Sequence, residues 1–128
     1  MHIHNGETFF IKYDVPRCEW KNQQFLFDRI RASAASIRIP EIYAVFGADR
    51  LYLIMEFIQT DHIASDTQRA RAISDFVSIE VPPDIAPGPV GGGRIHMRIF
   101  WDDEISDVDY PSIQDLEGHL NRVSIPKL

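Results

Sequence analysis

The sequence predicts an α+β fold in which a small antiparallel sheet packs against one helix, followed by a mainly helical segment with a Pro/Gly-rich loop. Three observations predict it. Runs of aromatic and β-branched residues follow turn residues, as in strands. An amphipathic run at helical spacing lies between the first of these runs and the next. Residues 82–93 hold four prolines and four glycines, which marks a loop. The 128 residues have the length of about one domain. We divide them into a sheet-and-helix segment, 1–60, and a segment of helices and loop, 61–128.

The first two elements are a strand and a helix. Residues 8–13, TFFIKY, are aromatic and β-branched and follow a turn-like Asn-Gly pair, so they are predicted to form a strand. Pro16 should end this strand. Residues 19–35 then predict a helix, because polar and apolar side chains recur on one stripe at helical spacing. The stripe contains Glu19, Gln23, Leu26 and Ile30.

A hairpin completes the predicted sheet. Ile39 precedes Pro40 and closes the helical region, because a residue before proline is disfavoured in the helical conformation. The apolar runs 42–46 (IYAVF) and 51–58 (LYLIMEFI) then flank the turn residues 47–49. Both strands are apolar enough to be buried on at least one face. The first sixty residues thus predict strand, helix, strand and strand.

Two helices and a short strand are predicted in the second segment. Ser65 with Gln68 forms a capping-box pattern for a helix from about residue 66 to residue 78, and Ile73 lies on its apolar face. The Pro/Gly-rich loop 82–93 follows, and alternating apolar residues in 94–101 predict a short strand. Ser112 is predicted to cap the last helix, together with Asp115.

Composition excludes several classes of function. The net charge is −6, which disfavours nucleic acid and anionic membranes as partners. Residues 1–50 carry seven basic and six acidic side chains, so an anionic ligand should prefer this half. The lone cysteine, Cys18, cannot form an intramolecular disulfide, and no signal peptide or spanning apolar run is present. We therefore expect a cytoplasmic protein.

Lys12 and Glu19 form the most informative pair for chemistry. Lys12 lies in the predicted strand, and Glu19 lies near the start of the helix on the stripe that faces the core. A buried carboxylate needs a charged partner, and Lys12 is the obvious candidate. Kinases use such a pair to hold an ammonium against nucleotide phosphates. The alternative is a surface lysine and a glutamate favoured by the helix dipole, and spacing alone leaves both open.

Several consecutive motifs carry a family resemblance. The segments NQQFLFDRI, RIPEIYAVF, LIMEFI, PGPVGGGRIHMRIFWDDE and LEGHLNRV occur in this order. Together with the strand lysine, they resemble the N-terminal lobe, hinge and following linker of the aminoglycoside phosphotransferase and choline kinase-like superfamily, and most of all its fungal branch. The resemblance extends from about Phe9 to Val123. It implies a kinase-like lobe and hinge in 1–60, and linker helices with the start of a second lobe in 61–128.

The resemblance also implies roles for individual residues. Lys12 would contact the α and β phosphates of ATP, and Glu19 would orient it. The backbone of Glu56 and Ile58 would hydrogen-bond the adenine edge, and Met55 would border the pocket. These five residues are the candidate cofactor-binding site.

The catalytic part of such a kinase is missing from the sequence. Phosphoryl transfer needs an Asp two residues after a His, an Asn five residues further, and a second Asp for metal. No histidine here is followed two residues later by Asp. We therefore expect a truncated phosphotransferase that binds ATP weakly, has no ligands for Mg²⁺ and does not catalyse transfer. The alternative is a non-catalytic interaction module, or a homodimer that associates through exposed apolar surface.

Overall fold

A computed structural model of the protein describes residues 2–4, 6–97 and 104–122, with the backbone alone for 2–4. Within these ranges the elements are β1 (His2–His4), β2 (Glu7–Val15), α1 (Arg17–Arg31), β3 (Ile42–Phe46), β4 (Leu51–Glu56), α2 (Asp66–Val77) and α3 (Ile113–Arg122). The strands form one antiparallel sheet. The predicted α+β class with a small antiparallel sheet is confirmed.

The strand order in the sheet is β1-β2-β4-β3. Strand β2 pairs with β4, so that Phe9 lies opposite Glu56 and Tyr13 lies opposite Tyr52. After Tyr13 the register shifts at Asp14, which has a φ of 60°. Aspartate adopts this left-handed conformation more readily than most residues. The chain passes through α1 and β3 before it reaches β4, and β4 then pairs with β2 in the middle of the sheet.

The turn between β3 and β4 depends on Gly47. Its φ is 114°, in the region that favours glycine. A Cβ atom at this position would collide with the carbonyl oxygen of Arg50. Any side chain here would therefore be both strained and obstructed.

The hydrophobic core lies on one face of the sheet, which we call the inner face. Alternate residues of β4, Leu51, Leu53 and Met55, are buried there, and Leu53 is fully buried. Val15 joins them, and Trp20 of α1 packs against the group. Because side chains alternate along a strand, the residues between them point to the opposite, outer face. Helix α1 thus covers only the inner face.

Helix α1 ends at Arg31, four residues before the predicted end at residue 35. The cause is local hydrogen bonding by Ser33. Its hydroxyl donates to the carbonyl of Ile30 at 2.9 Å and accepts the N–H of Ala35 at 3.2 Å. Serine side chains compete with helical hydrogen bonds in this way, so the predicted end was wrong.

Helix α2 confirms the predicted capping box. The Ser65 hydroxyl accepts the N–H of Gln68 at 3.2 Å, and the Gln68 side chain accepts the N–H of Ser65 at 2.8 Å. The helix ends at Val77, one residue before the predicted end. No residue of α2 is buried, and Ile73 on its apolar face is 63% exposed.

The chain divides into two compact units, Met1–Glu80 and Val81–Leu128. The first unit contains the sheet with α1 and α2, and the second contains the Pro/Gly-rich loop and α3. The sequence-based boundary after residue 60 marks the end of a proposed hinge rather than a compact unit, and it stays a prediction.

The second unit contains a buried serine. Ser106 is fully buried, and its hydroxyl accepts the N–H of Ile95 and donates to the carbonyl of Val108, both at 2.9 Å. His96 forms an isolated antiparallel bridge with Ile105. Residues 98–101 of the predicted strand lie outside the described residues. Ser112 caps α3 as predicted, because its hydroxyl accepts the N–H of Asp115.

Candidate functional site

The structure brings Lys12 and Glu19 together. Lys12 lies in β2 opposite Leu53, and Glu19 lies in the first turn of α1. The Lys12 ammonium donates a hydrogen bond to Glu19 Oε1 and forms an ion pair with it. The pair predicted from the sequence therefore forms, whereas its role in cofactor binding stays a prediction.

The prediction that this pair is buried was wrong. The Lys12 side chain is 44% exposed and the Glu19 side chain is 36% exposed. Helix α1 begins only two residues after β2 ends, so its first turn lies at the rim of the inner face. Lys12 lies opposite the buried Leu53 on the neighbouring strand, yet its own side chain stays exposed. Water therefore screens the ion pair, and exposed pairs of this kind contribute about 0.2–1 kcal/mol.

Glu19 has a second reason to occupy its position. Its N–H donates to the carbonyl of Pro16 at 3.0 Å, in the first turn of α1. A carboxylate in a first helical turn interacts favourably with the positive end of the helix dipole. The glutamate is thus held over the sheet rim by the helix start, and the lysine reaches it from β2. The resulting ammonium is oriented and in contact with solvent, so it can meet an anionic ligand.

The hinge-like residues Met55 and Glu56 already have protein partners. Met55 is buried, and its Sδ accepts a hydrogen bond from the Gln23 side chain at 3.6 Å. The N–H of Glu56 donates to the carbonyl of Glu41 at 2.8 Å. The Glu56 carboxylate accepts hydrogen bonds from Arg38 and from the N–H of Glu41. Both side chains therefore stabilise the fold around α1 and β3.

Sequence reasoning missed two residues near these positions. Phe10 shares the inner face with Lys12, lies opposite Met55 and keeps an exposed ring. Strand alternation relative to Lys12 was a signal that could have identified it. Arg38 pairs with Glu56, and no spacing rule in the sequence indicates this contact. Ile58 follows β4 and is half-buried.

Three cavities of the described structure lie away from Lys12. One of about 320 Å³ is bordered by Arg38 and Glu56, and one of about 430 Å³ lies beside Arg29 and Asp75 at the C-terminal ends of α1 and α2. The third, also about 430 Å³, lies in the second unit beside His119, whose Nδ1 is 2.7 Å from a tyrosine hydroxyl. Lys12 lines none of these three.

Within the described ranges, no group of three or more His, Cys, Asp or Glu side chains is placed to hold a metal ion. The helices described there include none with the length and apolar character needed to cross a membrane. Comparison with protein-family models, curated proteins and solved structures finds no match to this chain.

Proposed function

We propose that this chain forms a kinase-like nucleotide-binding element that binds ATP weakly and does not transfer phosphate. The observation that carries the proposal is the ion pair between Lys12 in a strand and Glu19 in the following helix. In kinases, a strand lysine held by a helix glutamate neutralises nucleotide phosphates. The pair here has the same two residue types on the same two kinds of element.

The arrangement around Lys12 supports this proposal. Strand β4 lies beside β2 and leads directly into the hinge-like segment that ends at Ile58. Phe10 and Lys12 lie in a row on the inner face, so an apolar ring adjoins the ammonium. Because the N–H of Glu56 is already bonded to Glu41, the adenine contacts in this proposal use the Glu56 carbonyl and the Ile58 backbone.

Weak affinity follows from the exposure of the pair. An ammonium that is nearly half exposed keeps much of its hydration, so a phosphate gains little by replacing water around it. The sequence also lacks the aspartates that would hold Mg²⁺ and bridge it to the phosphates. We expect a dissociation constant for ATP on the order of 1 mM, which corresponds to about −4 kcal/mol.

The test is an NMR titration of the ¹⁵N-labelled full chain with ATP. Shifts should concentrate on β2, the start of α1 and residues 56–58. Lys12→Ala should weaken binding at least tenfold. The matched control Lys21→Ala removes an equal charge from an exposed lysine of α1 and should leave binding unchanged. No shifts at 10 mM ATP, or equal losses in both variants, would refute the proposal.

A second candidate function is an interaction module without nucleotide. Large apolar side chains of the sheet remain exposed, including Tyr13, Tyr43 and Phe46. Exposed apolar surface of this extent commonly marks a site of protein association. This candidate predicts association that is independent of ATP and of Lys12.

A further inference from the structure

The outer face of the sheet carries an exposed aromatic row. Tyr13 of β2 lies opposite Tyr52 of β4, and Tyr52 lies opposite Phe46 of β3. The three side chains thus cross three adjacent strands, and their residues are 73%, 40% and 50% exposed, respectively. The rings of Phe46 and Tyr52 are stacked, with centroids 5.3 Å apart and an interplanar angle of 10°. The row is therefore ordered by its own contacts and still presents ring surface to solvent.

The next rows of the outer face are apolar apart from Glu56, which lies opposite Phe9. Ile11 lies opposite Ile54, and Ile54 lies opposite Ala44, in the next row along the strands. Beyond it, Phe9 contacts Tyr43 edge to face, with centroids 5.8 Å apart. Helix α1 packs on the inner face and does not cover these rows, in which Phe9, Ile11 and Ile54 are half-buried. Antiparallel sheets commonly cover such a face by packing against a second sheet.

We propose that this outer face is an interface between two copies of the chain, which pack sheet against sheet. This inference does not rest on the proposed nucleotide site, whose Lys12 lies on the inner face; the two share only Glu56, through its backbone in one and its carboxylate in the other. Tyrosine and phenylalanine are enriched at protein interfaces, whereas charged residues are depleted from their centres. The row of Tyr13, Tyr52 and Phe46 has this composition, whereas the Phe9–Tyr43 pair has Glu56 beside it.

The small area of the outer face limits how tightly two copies of the chain can bind. Strands lie about 4.8 Å apart and rise about 3.3 Å per residue, so three strands of five residues span roughly 14 by 17 Å. Such a footprint, about 240 Å² per copy, is smaller than the roughly 800 Å² per partner of a standard stable interface. We therefore expect a weak dimer that forms at tens to hundreds of micromolar protein.

The two ends of the outer face differ in charge, and this favours one orientation. Glu7, Glu41 and Glu56 lie near Tyr43, with Arg38 as their counter-charge. Three carboxylates against one guanidinium make this end acidic, and after desolvation, the larger cause, these carboxylates also raise the pKa of the Tyr43 phenol.

The opposite end carries an exposed arginine. Arg50 precedes β4, is largely exposed and lies 4.0 Å from Asp14, and with Asp49 beside it this end is near neutral rather than acidic. A two-fold axis in the interface, perpendicular to the strands, would place the Arg50 end of each copy over the acidic end of the other. An axis along the strands would instead bring the like ends together. Charge complementarity therefore favours the perpendicular axis.

Sedimentation velocity of the full chain between 1 and 300 μM tests the proposal. The wild-type protein should shift from monomer to dimer over this range without nucleotide. Tyr13→Ser should raise the dimer dissociation constant at least tenfold. The matched control Ile73→Ser replaces an apolar residue of α2 with similar exposure and should have no effect. Far-UV circular dichroism verifies that each variant is folded.

The proposed orientation has its own test. Arg50→Glu should weaken the dimer, and adding Glu41→Arg should restore it, because each contact would then pair opposite charges again. A protein that stays monomeric at 300 μM would overturn the inference. So would a dimer that is lost with Ile73→Ser but not with Tyr13→Ser. Binding of a single-stranded oligonucleotide that Tyr13→Ser abolishes, without dimerisation, would assign the aromatic row to base stacking instead.

Discussion

The exposure of the Lys12–Glu19 pair makes a quantitative prediction about stability. Lys12→Met and Glu19→Gln, alone and combined, form a double-mutant cycle. Because both side chains contact water, their coupling free energy should be about 0.2–1 kcal/mol. Losing one partner of a buried pair would instead cost about 3–5 kcal/mol. The cycle therefore distinguishes the observed rim position from the burial expected from the sequence.

Urea unfolding followed by Trp20 fluorescence is the appropriate assay, since Trp20 packs against the core of the first unit. All variants carry Trp101→Phe, so that only one tryptophan is observed. With an m value of about 1.5 kcal/mol/M, the coupling corresponds to a midpoint shift of about 0.1–0.7 M. A coupling above about 2 kcal/mol would refute the reasoning, because a hydrated pair cannot supply it.

Three further predictions concern the first unit. Leu53→Ala should reduce the free energy of unfolding by about 2–5 kcal/mol in the same urea assay, because Leu53 is fully buried. Gly47→Ala should lower the free energy of unfolding more than Gly6→Ala, because both glycines have positive φ but only a Cβ at residue 47 would collide with backbone. Equal losses of unfolding free energy in the two variants would contradict this. Hydrogen bonds from the Ser36 hydroxyl and N–H lower the pKa of Asp75, so its contribution to stability is present above about pH 4 and lost as pH falls through the lowered value. Ser36→Ala should therefore reduce the acid sensitivity of unfolding between pH 5 and pH 2.

Much of the fold could be predicted from the sequence because its signals are local. The strand around Lys12 and the hairpin that follows α1 show apolar runs between turn residues. The Ser65–Gln68 capping box needs only two residues three positions apart. The Lys12–Glu19 contact was also accessible, because a strand and the helix that directly follows it keep their facing ends close.

The solvent exposure of individual side chains could not be predicted in the same way. Alternation along β4 indicates that Leu53 and Tyr52 face opposite sides, but it does not say which side another element covers. Among the described residues, helix α1 packs on the inner face, so Glu19 meets solvent at its rim and the rings of the aromatic row stay exposed. Arg38 lies in the irregular segment between α1 and β3, where the spacing of residues does not indicate which way a side chain points. Its contact with Glu56 could therefore not be predicted from the sequence.

The two proposals make one joint prediction, since they place their sites on opposite faces of the same sheet. Lys12 pairs with Glu19 of α1, whereas Phe46 stacks on Tyr52 on the outer face. Substitutions at independent sites have additive effects. Lys12→Ala should therefore leave the dimer dissociation constant within about twofold, and Phe46→Ser should leave ATP affinity within about twofold. If ATP instead dissociates the dimer in sedimentation, and Lys12→Ala prevents this, nucleotide and partner compete for one surface and the assignment of separate faces fails.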